Sequence, residues 1–109
     1  MRITKATIEY SKVISKLMLS DLKSPNSKFP HRMINKFREH AKEENIIKEF
    51  ENLKLIAFLA VDEDKAAGFV VGYEVDSNSA MIHYISAESN DVKTELLNSF
   101  IRECKIRKI

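Results

Sequence analysis

The chain has 109 residues, 44% of them hydrophobic and 31% charged, with 18 Lys plus Arg against 16 Asp plus Glu and a net charge of +2. That length suits a single domain with one core, and the composition excludes the disordered class. The small net charge gives no electrostatic basis for a nucleic-acid partner, and neither a signal-peptide core nor a run of about 18 apolar residues points to export or a membrane.

Met1 to Tyr10 sets Ile3 among polar neighbours and carries Thr4, Thr7 and Ile8, which favours a first strand. From Tyr10 the period changes. Tyr10, Val13, Ile14, Leu17, Met18 and Leu22 form one stripe of an amphipathic helix, with Ser11 as its cap. The segment KSPNSKFP supplies two prolines and an asparagine, enough to end that helix in a loop. Met33, Ile34, Phe37 and Ala41 then share a second helical face. Continuing that face would land on Glu44 and Asn45, whereas the next apolar residues are Ile46, Ile47, Phe50 and Leu53, so a break is expected from Glu43 to Asn45.

Three strand-like runs follow: Leu55 to Val61, Ala66 to Val75 and Ala80 to Ala87, separated by the turns DEDK and DSNS. They read as an antiparallel meander. Their near-continuous hydrophobicity predicts cover on both faces, which helices before and after them can supply. The last element is a helix whose stripe runs through Val92, Leu96, Leu97, Phe100, Ile101 and Cys104, with Lys93, Glu95, Asn98, Arg102 and Glu103 opposite and Asn90 or Asp91 as cap. Lys105, Arg107 and Lys108 in its last turns complement the helix dipole. The fold class is therefore α/β (α+β), in the order β-α-α-β-β-β-α.

Cys104 is the single cysteine, so no disulfide can form within the chain, and a reducing cytoplasm is the expected setting. On the helix stripe it reads as an inert core thiol. Met18, Met33, Phe37, Phe50 and Phe58 read as core. His31, His40 and His83 lack the spacing and companions of metal ligands, so no metal site is expected. Gly68 and Gly72, the only glycines, lie in the middle meander strand and read as bulges or close-packing sites.

This order resembles the N-terminal part of the GNAT superfamily of acyl-CoA-dependent N-acyltransferases. RITKATIEYSKVISKLML is similar to the family's first strand and helix, LIAFLAVDEDKAAGFVVGY to its second and third strands, and AMIHYISAE to its fourth. The resemblance implies acetyl-CoA or another acyl-CoA as cofactor. After the fourth strand the family carries a valine, a short loop and Arg/Gln-x-x-Gly-x-Gly/Ala, then a helix with paired leucines. The glycines let backbone amides close on the cofactor's pyrophosphate at a helix N-terminus.

Here Ala87 stands at the valine, Leu96 and Leu97 at the leucines, and Val92 between the positions of the missing glycines; Glu88, Ser89, Asn90 and Asp91 fill the loop. Their carboxylates would repel a diphosphate. The resemblance places backbone contacts to a cofactor at Ile85, Ser86, Ala87 and Val92, and offers Glu74, His83 and Glu88 as bases for the acceptor amine.

Beside these roles stand plainer ones. Glu74 reads as a solvated strand-end residue and His83 as a packed histidine on a face shared with Met81 and Ile85. Tyr84 falls on the opposite face with Ile82. The family continues past this helix with a fifth strand, so residues 1–109 are expected to form one GNAT-like domain lacking the C-terminal strands. The exposed edge of the third meander strand then invites a homodimer. The resemblance implies an acyl-CoA N-acyltransferase-like protein. The alternatives are a non-catalytic homodimeric binding or assembly module on the same fold, and an unrelated small α+β protein.

Overall fold

The computed structural model describes residues 1–23, 38–39 and 41–109. The described elements are strand β1 (Arg2–Lys5), a 3-10 turn (Ile8–Tyr10), helices α1 (Ser11–Lys23) and α2 (Glu43–Phe50), strands β2 (Leu55–Asp62), β3 (Lys65–Asp76) and β4 (Ser79–Ala87), and helix α3 (Asn90–Ile106). They follow the expected β-α-α-β-β-β-α order. Contacts divide the chain into two units, Met1–Ala6 with Leu53–Ile109, and Thr7–Asn52.

In the first unit the four strands form one antiparallel sheet in the order β1-β2-β3-β4. Short turns make the meander. Asp62 pairs with Lys65, so Glu63 and Asp64 alone reverse the chain, and Glu63 takes a left-handed φ of 56°. At the next turn the Asp76 carboxylate accepts from the Asn78 N–H at 2.8 Å and the Ser79 hydroxyl at 3.0 Å, a side-chain substitute for a backbone turn. Those bonds, the Asn78 amide first, hold the Asp76 carboxyl below the usual carboxylate range.

Helix α3 lies on one face of this sheet, where Val92, Leu96 and Phe100 meet Ile56, Ala60, Ala67 and Val70. A fully buried side chain such as Leu96 contributes about 2 kcal/mol. The glycines permit this approach. A Cβ on Gly72 would stand 2.6 Å from the Phe100 ring and run into the Met81 carbonyl oxygen; one on Gly68 would strike the backbone of Ser86 and Ala87. On the other face Leu59 and Phe69 are also buried, with Tyr84 stacked on Phe69 at 5.4 Å.

Three expectations for this unit change. Leu53 ends no helical stripe: α2 stops at Phe50, and Leu53 is 94% exposed. Glu103, assigned to the polar side of α3, is buried, because Lys5 and Arg107 compensate its charge. Ile101, assigned to the core, is 51% exposed, because burying Ser99 and Glu103 rotates the helix away from it.

In the second unit α1 packs on α2. Ser11 is the first residue of α1, not its cap; its hydroxyl donates back to the Ile8 carbonyl at 2.7 Å, closing the 3-10 turn onto the helix. The first strand accordingly ends at Lys5. The buried face of α1 is Ser11, Ile14, Ser15 and Met18, while Val13 is exposed, because the Ser15 hydroxyl donates to the Ala41 carbonyl at 2.6 Å and turns that side inward. The break falls just before the expected Glu43 to Asn45: Lys42 is extended and α2 begins at Glu43, so Glu43, Glu44 and Asn45 are themselves its first turn. Met33, Ile34, Phe37, His31, His40 and the side chain of Leu22 lie outside the described residues.

Candidate functional site

The junction of β4 and α3 is two residues, Glu88 and Ser89. Glu88 donates its N–H to the Ala67 carbonyl at 3.0 Å, which carries the edge of the ladder one residue past Ala87. Ser89, extended at φ −149°, is the N-cap: its hydroxyl accepts the Val92 N–H at 3.3 Å, and its carbonyl takes the Lys93 N–H at 3.1 Å. The cap is thus Ser89, where Asn90 or Asp91 was expected. A cap must be non-helical while its carbonyl already accepts the first helical bond, and Asn90 and Asp91 are inside the helix.

Asp91 adds its carboxylate to the first turn, where it complements the positive end of the dipole. Val92 itself is core, 5% exposed. The positive charge of the helix end is therefore answered within the chain, by Asp91 and by the Ser89 oxygen. Among the described residues no glycine has a positive φ.

Along β4, Ile85, Ser86 and Ala87 pair with Val70, Phe69 and Gly68. In such a ladder alternate residues turn their N–H and C=O away from the partner strand, so part of this stretch faces the outer edge of the sheet. A bulge interrupts the strand below it. The register steps from Val71↔Tyr84 to Gly72↔Ile82, leaving His83 as the extra residue. Strict alternation therefore fails here. Tyr84 joins the Phe69 face and His83 sets its ring edge-on to Tyr73 at 6.0 Å, whereas Ile85 packs on the α3 side. The expected grouping of His83 with Ile85, and of Tyr84 with Ile82, is undone by that one inserted residue.

Glu74 lies opposite Ala80 on the α3 side, and Glu88 stands beyond the far end of β4, so the two positions are about 23 Å apart along the sheet. His83 falls between them but turns to the other face, against Tyr73. The fold does not gather Glu74, His83 and Glu88 into one site.

Glu74 is engaged elsewhere. Its carboxylate accepts from the Arg107 guanidinium at 2.7 Å, and Arg107 also donates to the carbonyls of Leu53 at 3.2 Å and Leu55 at 3.1 Å. This use of Arg107, expected only to complement the helix dipole, is invisible in the sequence because 33 residues separate it from Glu74. A shallow depression of about 190 Å³ lined by Lys54, Glu74, Val75, Asp76 and Ser77 lies beside the pair. Cys104 is half-buried against the core cluster, and burial pushes its thiol up. Among the described residues no group of His, Cys, Asp and Glu could hold a metal, and no helix is long and apolar enough to cross a membrane.

No protein-family model and no curated protein matches the chain. Solved structures do match in fold. An aminoglycoside 6'-acetyltransferase type Ii is similar at TM-score 0.73 and 22% identity, over 98% of this chain and 66% of that one. The PaiA N-acetyltransferase from Thermoplasma acidophilum, in complex with coenzyme A, gives 0.74 and 18% over 98% and 71%. A GNAT-family acetyltransferase from Staphylococcus aureus gives 0.75 and 18% over 99% and 68%. The fold is that of the GNAT acetyltransferases, and the chain spans about two thirds of the length of these neighbours.

Proposed function

We propose that this chain, which has the GNAT acetyltransferase fold, is an acyl-CoA N-acyltransferase-like protein that has kept the fold and replaced the cofactor grip, and that it serves as a binding module. The junction carries this reading. A diphosphate needs backbone amides left open at a bending, glycine-rich turn. Here the Ser89 hydroxyl takes the Val92 N–H, and Glu88 and Asp91 bring negative charge to the same place. These residues do not fit coenzyme A's pyrophosphate. The commitment of Glu74 to Arg107 and its distance from Glu88 agree. The single thiol supports a cytoplasmic setting.

The second reading is a working N-acyltransferase using acetyl-CoA or another acyl-CoA, favoured by neighbours of the same fold that hold coenzyme A. On that reading Ile85, Ser86, Ala87 and Val92 would offer backbone contacts, and Glu74, His83 and Glu88 would be the candidate bases. Calorimetric titration separates the two. The module reading expects no heat up to millimolar acetyl-CoA; binding in the low micromolar range would overturn it in favour of the enzyme.

A further inference from the structure

The two edges of the sheet are unlike. The β1 edge is four residues long and ends in Arg2 and Lys5, the charged guard that natural sheets place on an edge. The β4 edge is nine residues, Ser79–Ala87, with no Lys, Arg, Asp, Glu or Pro among them. Among the described residues no strand pairs with it.

Exposure divides β4 at its bulge. Tyr84 onward is buried or half-buried, whereas Met81, Ile82 and His83 are exposed, Met81 at 56% and Ile82 at 37%. The exposed half presents apolar side chains on both faces, because Met81 pairs with Tyr73 on one side and Ile82 with Gly72 on the other.

From this half-strand we infer that a second copy of the chain pairs with β4 across a two-fold axis at Met81, joining two sheets into one. The register is self-complementary. With Met81 opposite Met81, Ile82 falls opposite Ala80 and His83 opposite Ser79, each pair sharing a face, a large side chain against a small one. No like charges meet, because the paired segment holds no carboxylate, ammonium or guanidinium. The bulge at His83 ends the ladder, since beyond it the faces no longer match. The pairing is independent of whether the chain transfers acyl groups.

Sedimentation equilibrium from micromolar to millimolar protein tests it. The expected result is a dimer whose dissociation constant rises about tenfold or more in Met81→Lys, which sets two ammonium groups across the axis, and is unchanged in the control Leu53→Lys. Circular dichroism must show both variants folded. Met81→Cys supplies an independent check, because directly opposite residues fall within disulfide reach: mild oxidation should give a covalent dimer, while Leu53→Cys and the parent, with Cys104 alone, should not. A strictly monomeric parent at millimolar concentration overturns the proposal. So does a dimer indifferent to Met81→Lys, or a folded Met81→Cys chain that does not cross-link.

Discussion

The Arg107 guanidinium donates to the Glu74 carboxylate at 2.7 Å while the same fork holds the carbonyls of Leu53 and Leu55. One side chain at the end of α3 thus ties together the start of β2 and the end of β3. Leu53's carbonyl lies outside the sheet ladder, so the fork supplies a partner that the strands cannot. A planar group with several fixed donors is suited to this, and an ammonium is not.

Arg107→Ala should lower unfolding stability by about 2 kcal/mol, the range for losing a partly exposed charge-assisted pair together with two carbonyl bonds. Arg107→Lys should recover less than half of that, since a point charge can serve Glu74 but not both carbonyls. Urea denaturation decides the matter. Equal stability of the lysine variant and the parent would show that the fork adds nothing to the charge.

Gly72→Ala should cost about 2–3 kcal/mol, because its Cβ meets both the Phe100 ring and the Met81 carbonyl beneath a closely packed helix. Adding Phe100→Leu should not restore the parent's stability, since the carbonyl remains and burial is lost. A Gly72→Ala chain that unfolds at the parent's urea midpoint would mean that the helix can lift from the sheet freely.

Asp76 gives the protein an acid-dependent contribution whose sign is fixed. Its folded carboxyl is held low by the Asn78 amide and then the Ser79 hydroxyl, so the stabilisation is complete above the ordinary carboxylate range and is lost as pH falls through the depressed value. The parent's advantage over Asp76→Ala should be full near neutrality and vanish in strong acid. A difference in urea midpoint that stays constant from neutral to acid pH would count against it.

The regular parts of the fold were legible because periodicity reports burial locally. The meander runs predicted β2, β3 and β4 to within two residues at each end, and the turns DEDK and DSNS fell where the chain reverses. The helical stripes were less reliable. Ser15, Ser99 and Glu103 are polar yet buried, and for two of them the fold supplies the reason: the Ala41 carbonyl for Ser15 and the cations of Lys5 and Arg107 for Glu103. The candidate site was legible as a departure. The missing glycines on either side of Val92 could be read directly, but the choice of Ser89 as cap could not, because three adjacent residues were all competent and only the backbone dihedrals select one.

By itself the sequence determined the element order, the core of the meander and the absence of glycine from the β4–α3 turn, since each depends on residue type and near neighbours along the chain. Tertiary structure alone decided which face His83 takes, because one inserted residue in β4 reverses the alternation and only the pairing with β3 reveals it. It also decided that Glu74 belongs to Arg107. Whether a carboxylate is available for chemistry depends on the nearest cation in space, and chain order does not encode that distance.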